Sequence, residues 1–205
     1  LELHPYSIGK YMIIDSSSRR NLELVETLRE KQKRGSLLWV LDKTRTAMGA
    51  RLLRTYVEQP LIEKAEIIKR QKLIEALNAN EITRDEIREY LNPIYDLERL
   101  ITRITYQSAN PRDLIAFRDS LKMLPPIKQQ LSDIPCALTD EINEEFDELK
   151  DIYELLLSSI EDEPPISQRD GDIIKAGYNE EVDRLRDAKT KAKTWLAELE
   201  AGERE

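Results

Sequence analysis

Outside the carboxylates, two side chains of the usual nucleophile and metal-ligand types stand out, His4 and Cys136, each the single example of its kind. A zinc site needs clustered Cys and His, so one of each cannot build it. A Cys–His or Ser–His pair would require His4 to fold into a site from the far end of the chain. One cysteine also excludes an internal disulfide. A phosphate-binding loop needs consecutive glycine-freed backbone N–H groups and a Lys. Gly35, Gly49 and Gly171 each stand alone. Glu144 and Glu148 are spaced like metal ligands in a helical bundle, but no Glu-x-x-His accompanies them, and a solvated helix face is the favoured reading. Trp39 and Trp195 read as packing residues rather than ligand anchors. Arg29, Lys31, Lys33 and Arg34 could meet phosphate, yet as a solvated helix end they need no function. No catalytic, cofactor-binding or metal-binding residue is assigned, and the DNA-binding residues, if there are any, are unknown.

The elements that would have to position such groups read as helices. The 205 residues are 35% charged and 40% hydrophobic, with 6 glycines. That composition predicts a helix-rich globular fold and argues against an all-β one. No apolar run approaches the roughly 18 residues of a membrane span. The net charge is −8. Residues 139–163 hold eleven acids against Lys150, which is −10; residues 1–138 carry 23 bases and 19 acids, +4; residues 164–205 come to −2. A self-sufficient DNA-binding module would show a basic face, and the chain as a whole does not. The start at Leu1 and the end on Glu203-Arg204-Glu205 predict a segment of a longer protein.

Along the chain, Tyr11–Ile14 reads as a brief strand. Ser16–Ser18 offer caps for a short helix, Ser36 caps Leu37–Leu41, and Thr46 starts a helix burying Met48, Leu52, Leu53 and Tyr56 before Pro60. A helix over 63–78 turns Ala65, Ile68, Leu73 and Leu77 inward. Thr83 with Glu86 makes a capping box for a short helix ending near Asn92-Pro93. Another spans 94–107, burying Leu97, Leu100, Ile101 and Ile104. Asn110-Pro111 starts a helix that Pro125-Pro126 disturbs. Thr139 caps a single acidic helix burying Ile142, Phe146, Leu149, Ile152, Tyr153 and Leu156. Asp170-Gly171 and Gly177 mark turns. Asn179 caps a long final helix with an apolar stripe of Val182, Leu185, Ala192, Leu196 and Leu199, flanked by Ala188 and Trp195. One stripe on an otherwise charged helix wants a partner helix. The fold class is all-α, a multi-helix core with one long protruding C-terminal helix.

Five segments carry a more specific likeness. They are Ser18-Arg19-Arg20-Asn21-Leu22-Glu23-Leu24; the stretch Gly35 to Leu53, containing Leu41-Asp42-Lys43-Thr44-Arg45-Thr46-Ala47-Met48-Gly49-Ala50-Arg51-Leu52-Leu53; Asp96-Leu97-Glu98-Arg99-Leu100 with Arg103; Asn110-Pro111-Arg112-Asp113-Leu114; and Asp170-Gly171 followed by Gly177-Tyr178-Asn179-Glu180-Glu181-Val182-Asp183. In this order they resemble the core and lever region of the MutS family of DNA mismatch-repair ATPases. Gln168 departs from the apolar residue more usual before Arg-Asp-Gly.

The resemblance implies a domain organisation: residues 1–17 end a connector, 18–166 form the helical core, and 167–205 hold a connection and the outgoing lever helix, cut before the clamp. It implies a fragment that is not itself an enzyme, within a protein that binds ATP and Mg. That protein would bind mismatched double-stranded DNA as a homodimer, couple ATP hydrolysis to clamp movement, engage a MutL-type partner and act in the bacterial cytoplasm, at the nucleoid, without a membrane. A helical protein-interaction scaffold unrelated to repair is the alternative, and a helical enzyme a third reading that the missing His, Cys and Gly-rich elements disfavour.

Overall fold

The structure, a computed structural model, describes residues 9–202 and, within them, all side chains but those of 193 and 195–202. The described residues are helical throughout, joined by turns, with two isolated antiparallel bridges, Tyr11 to Leu61 and Ile160 to Ile174. The all-α expectation is therefore met. The contacts divide the chain into two units, one of residues 1–102 and 119–148, the other of 103–118 and 149–205.

In the first unit the expected strand at Tyr11–Ile14 shrinks to the single bridge, with Met12 N–H donating to the Pro60 carbonyl at 2.8 Å and Ile13 72% exposed. With Ile62 N–H donating to the Lys10 carbonyl at 3.3 Å, this is one paired residue on each side, too short for a strand. Helix α1 (Ser16–Asn21) is capped by Asp15 instead of a serine, because the Asp15 carboxylate already accepts the Ser18 N–H at 2.9 Å. Ser36 caps α2 (Leu37–Leu41) as expected, accepting the Trp39 N–H at 3.2 Å, and Thr46 caps α3 (Ala47–Glu58) through the Gly49 N–H at 3.0 Å. Leu24, Leu38 and Val57 form a small core with Ile14, Val25 and Leu53 against it. Leu52 and Tyr56, expected inside, are exposed, since α3 presents its Leu53–Val57 edge to that core.

Helices α4 (Lys64–Ala79) and α5 (Glu81–Leu91) follow almost without a break. Thr83 lies inside α5 and is not its cap: the N-cap position falls at Asn80, three residues before the expected one. Ala65 and Ile68 face outward, while Leu73 and Leu77 are half-buried. Helix α6 is shorter than expected, Leu97–Thr105, and buries Leu100 but leaves Ile101 51% exposed. Helix α7 (Pro111–Leu121) starts at the predicted proline, and α8 (Leu124–Ser132) carries Pro125-Pro126 in its first turn, where missing N–H groups break no intrahelical bond. Helices α4, α5 and α8 pack with α9 (Ala137–Glu145) in a ring, α4 on α5, α5 on α8, α8 on α9 and α9 on α4. Leu121, Ile127 and Ile134 are buried in this unit.

The single acidic helix is two. α9 ends at Glu145, Leu149 takes the left-handed conformation (φ 51°), and α10 runs Lys150–Ser159. Thr139 is no cap either. It is fully buried, its hydroxyl 2.7 Å from the Ile134 carbonyl and 2.6 Å from that of Cys136. Of the apolar residues expected inside, Leu156 is buried, Phe146, Leu149, Ile152 and Tyr153 are half-buried, and Ile142 is exposed.

The second unit buries Phe117, Leu156 and Ile160. A 3₁₀ turn at Gln168–Asp170 leads to Gly171 (φ 78°) and Gly177 (φ 83°), the two turns expected. Asn179 then caps α11 (Glu180–Gly202), accepting from the N–H groups of Glu181 at 3.0 Å and Val182 at 3.1 Å. On its stripe Val182 is half-buried, whereas Leu185 is 65% exposed and Ala188 and Ala192 are exposed. The side chains of Trp195, Leu196 and Leu199 lie outside the described residues.

Candidate functional site

Polar residues of the five segments make caps and ion pairs. In the first unit Asp42 accepts from the Thr44 backbone N–H (3.1 Å) and hydroxyl (2.6 Å) and pairs with Lys33. The Lys33 and Thr44 hydrogen bonds hold the Asp42 carboxyl down at about 2, against an ordinary 3.8. Two residues on, Thr46 opens α3. A Cβ at Gly49 would stand 3.0 Å from the Thr46 hydroxyl, so the glycine gives that cap its room. One turn later Arg51 reaches across 45 positions to Asp96 through both terminal nitrogens, at 2.8 and 2.7 Å, and to Glu98 at 2.5 Å. The fork raises the guanidinium's affinity for its proton and lowers that of Asp96. It ties two separately recognised segments, a link that sequence spacing alone does not reveal. Arg99 pairs with the same Asp96 at 3.2 Å.

In the second unit Asn110 and Asp113 cap α7 reciprocally: the Asp113 N–H donates to Asn110 Oδ1 at 2.9 Å and the Asn110 N–H to Asp113 Oδ2 at 3.0 Å. Arg103 adds an ion pair to Asp113 at 2.8 Å, and Arg112 donates to the Pro164 carbonyl at 3.4 Å. Gln168, the departure from the family pattern, sits in the exposed 3₁₀ turn with its amide 3.5 Å from the Ala109 carbonyl. Arg118 and Lys175 converge on Asp162 at 2.6 and 3.4 Å, and Arg118 is the larger cause of its lowered pKa.

The residues weighed for chemistry do not gather. His4 lies outside the described residues. Cys136 is half-buried just before α9 and free. Glu144 ends up on α9, but Glu148 falls beyond its end, so the two do not share a helix face. Among the described residues no group of three or more His, Cys, Asp or Glu side chains could hold a metal ion. Gly35, Gly49 and Gly171 serve separate turns and one cap, so among the described residues they form no glycine-rich cradle of the kind a nucleotide's phosphates take. Arg29, Lys31, Lys33 and Arg34 sit in a loop between α1 and α2, not on a helix end; its neck is closed by Thr27 N–H to the Gln32 carbonyl at 2.9 Å. Arg29, Lys31 and Arg34 are exposed there, while Lys33 is taken by Asp42. Trp39 is about half exposed, at 47%, among exposed Leu37, Val40 and Leu41. Trp195 is outside the described side chains. No helix of the described residues is long and apolar enough to cross a membrane.

Two surface grooves flank the foot of α11. One groove of about 680 Å³ is lined by Tyr178, Glu181, Arg184 and Leu185 among others, and a second of about 510 Å³ by Ile173, Val182, Leu185 and Lys189 among others. Both run along a helix on which Leu185, Ala188 and Ala192 are exposed.

A family model described as MutS domain III matches residues 17–201. The chain is 65% identical over 201 residues to the DNA mismatch repair protein MutS of Lachnoclostridium phytofermentans, covering 98% of this chain and 22% of that protein. Over 200 residues it is 51% identical to the MutS of Caldanaerobacter subterraneus subsp. tengcongensis and 48% to that of Clostridium tetani, in each case 98% of this chain and 23% of the relative. The chain thus spans under a quarter of the length of the curated relatives it matches. None of this supports a helical scaffold unrelated to repair. Caps, ion pairs and family match agree, and the chain belongs to the MutS domain III family.

Proposed function

We propose that this chain is the structural core and first lever helix of a DNA mismatch-repair protein, without catalysis of its own. Residues 1–17 end a connector, 18–166 form the core, and 167–205 carry the connection and the outgoing lever. The whole protein would bind mismatched double-stranded DNA as a homodimer, take ATP and Mg in a part beyond this chain, engage a MutL-type partner and work at the nucleoid in the bacterial cytoplasm. This chain's share is mechanical. A stiff helix anchored at one end passes a nucleotide-driven change on to a DNA clamp as a change of placement. The observation that carries this reading is how the recognised residues are used. Asp42, Thr46, Arg51, Asp96, Asn110, Asp113 and Asn179 close caps and ion pairs that hold helix ends and join helices.

The test is phosphate release from ATP with Mg and a mismatched duplex. The full-length protein carrying this segment is expected to release phosphate, and the segment alone to release none. Hydrolysis by the segment alone would overturn the reading.

A further inference from the structure

We infer that Arg186 is a positioning residue that fixes the direction in which α11 leaves α10, a role that rests on the lever reading above. Packing cannot set that direction by itself, because Leu185 is 65% exposed and Val182 is only half-buried at the helix foot. The polar contacts do. From the second turn of α11 the Arg186 guanidinium donates to the Ile174 carbonyl at 2.6 Å and lies 3.5 Å from Asp172 and 3.6 Å from Asp183. Asp183 in turn accepts the Gly177 N–H at 2.8 Å, so the turn before the helix is held to the same point. A planar fork with several fixed donors suits such a junction better than a single ammonium.

The segment Arg186 grips is itself pinned to α10. Glu161 N–H donates to the Ile173 carbonyl and Lys175 N–H to the Ser159 carbonyl, both at 2.8 Å. The Lys175 ammonium reaches the Leu157 carbonyl at 2.9 Å and Asp162 at 3.4 Å, and Asp162 accepts from Arg118 of α7 at 2.6 Å. A continuous polar chain thus runs from α7 through the end of α10 to α11, and Arg186 is its last link. Leverage makes that link matter: Thr194 lies about 20 Å along α11 from its start, so a swing of roughly 10° at the foot moves it about 4 Å.

The experiment is a spin-label distance between Glu154→Cys on α10 and Thr194→Cys on α11, in the full chain with Cys136→Ser. A second pair, Ser108→Cys with Glu154→Cys, reports on the unit without α11. Arg186→Leu is expected to shift the α11 distance by several ångströms or broaden it, with the second pair unchanged, and Arg186→Lys to recover part of the original distribution. An unchanged α11 distance in Arg186→Leu would overturn the proposal. If Arg186→Leu disturbs both pairs, Arg186→Gln decides: a shifted α11 distance supports the latch and an unchanged one sinks it. No DNA or nucleotide is involved, so a negative result here leaves the repair reading standing, and the two failures are told apart.

Discussion

Arg51 and Asp96 stand 45 residues apart and meet as a bidentate pair. The ends of that pair were legible as two recognised segments, but their meeting was not, because one-dimensional spacing carries no information on which helices become neighbours. Caps are different. They bind within three residues, so Ser36, Thr46, Asn110 and Asn179 could be read directly. Where two cap residues adjoin, as Asp15 does Ser16–Ser18, the sequence does not rank them. Thr46→Ala is expected to cost about 1 kcal/mol in urea unfolding, the usual value of a lost N-cap; an unchanged midpoint would show that the cap is redundant.

Asp42 gives a pH prediction at the same scale. Its folded pKa of about 2 lies below the ordinary 3.8, so its contribution to stability is complete above about pH 4 and is lost as pH falls toward 2. Lys33 is 49% exposed, which limits the pair to roughly 1 kcal/mol or less. Asp42→Asn should lower stability near neutral pH and flatten its fall between pH 4 and 2, as followed by chemical denaturation at each pH.

At the scale of elements, the long acidic stretch shows where periodicity stops helping. Its composition suits one continuous helix, and nothing local forbids it. The break at Leu149, with φ 51°, arises because α9 belongs to the ring with α4, α5 and α8 while α10 packs in the other unit. Tertiary demand overrides propensity there. The glycine turns were legible because their backbone needs a missing Cβ. At Gly177 (φ 83°) no atom lies within 4 Å of an added Cβ, so Gly177→Ala measures backbone strain alone and should cost about 1–2 kcal/mol. Leu121, 1% exposed, is a deeper anchor: Leu121→Ala is expected to cost about 2–5 kcal/mol in the same assay. A smaller loss would mean that the space around it collapses.

For the whole molecule, charge decides. The chain carries −8, and the stretch 139–163 alone accounts for −10, so its remaining surface is only slightly basic. The exposed loop basics Arg29, Lys31 and Arg34 are too few for a grip that survives physiological salt, because phosphate contacts lose affinity steeply as counterion concentration rises. A gel shift with the isolated chain at that salt should show no tight or mismatch-selective complex, and such a complex would contradict this. That one histidine and one cysteine are too few for a clustered Cys/His zinc site was legible in the residue types alone. What the helix stripe of α11 is for was not, since its exposed Leu185 becomes meaningful only beside the grooves at its foot.

A mechanical role as the frame of a mismatch-repair protein implies that this segment can replace its counterpart in a relative. It is tested most directly by placing residues 17–201 into the full-length MutS of a close relative, in a bacterium lacking its own, and measuring mutation frequency. The frequency is expected to return nearly to that of the wild type. A chimera that is folded and hydrolyses ATP yet leaves the frequency at the level of the deletion strain would contradict it.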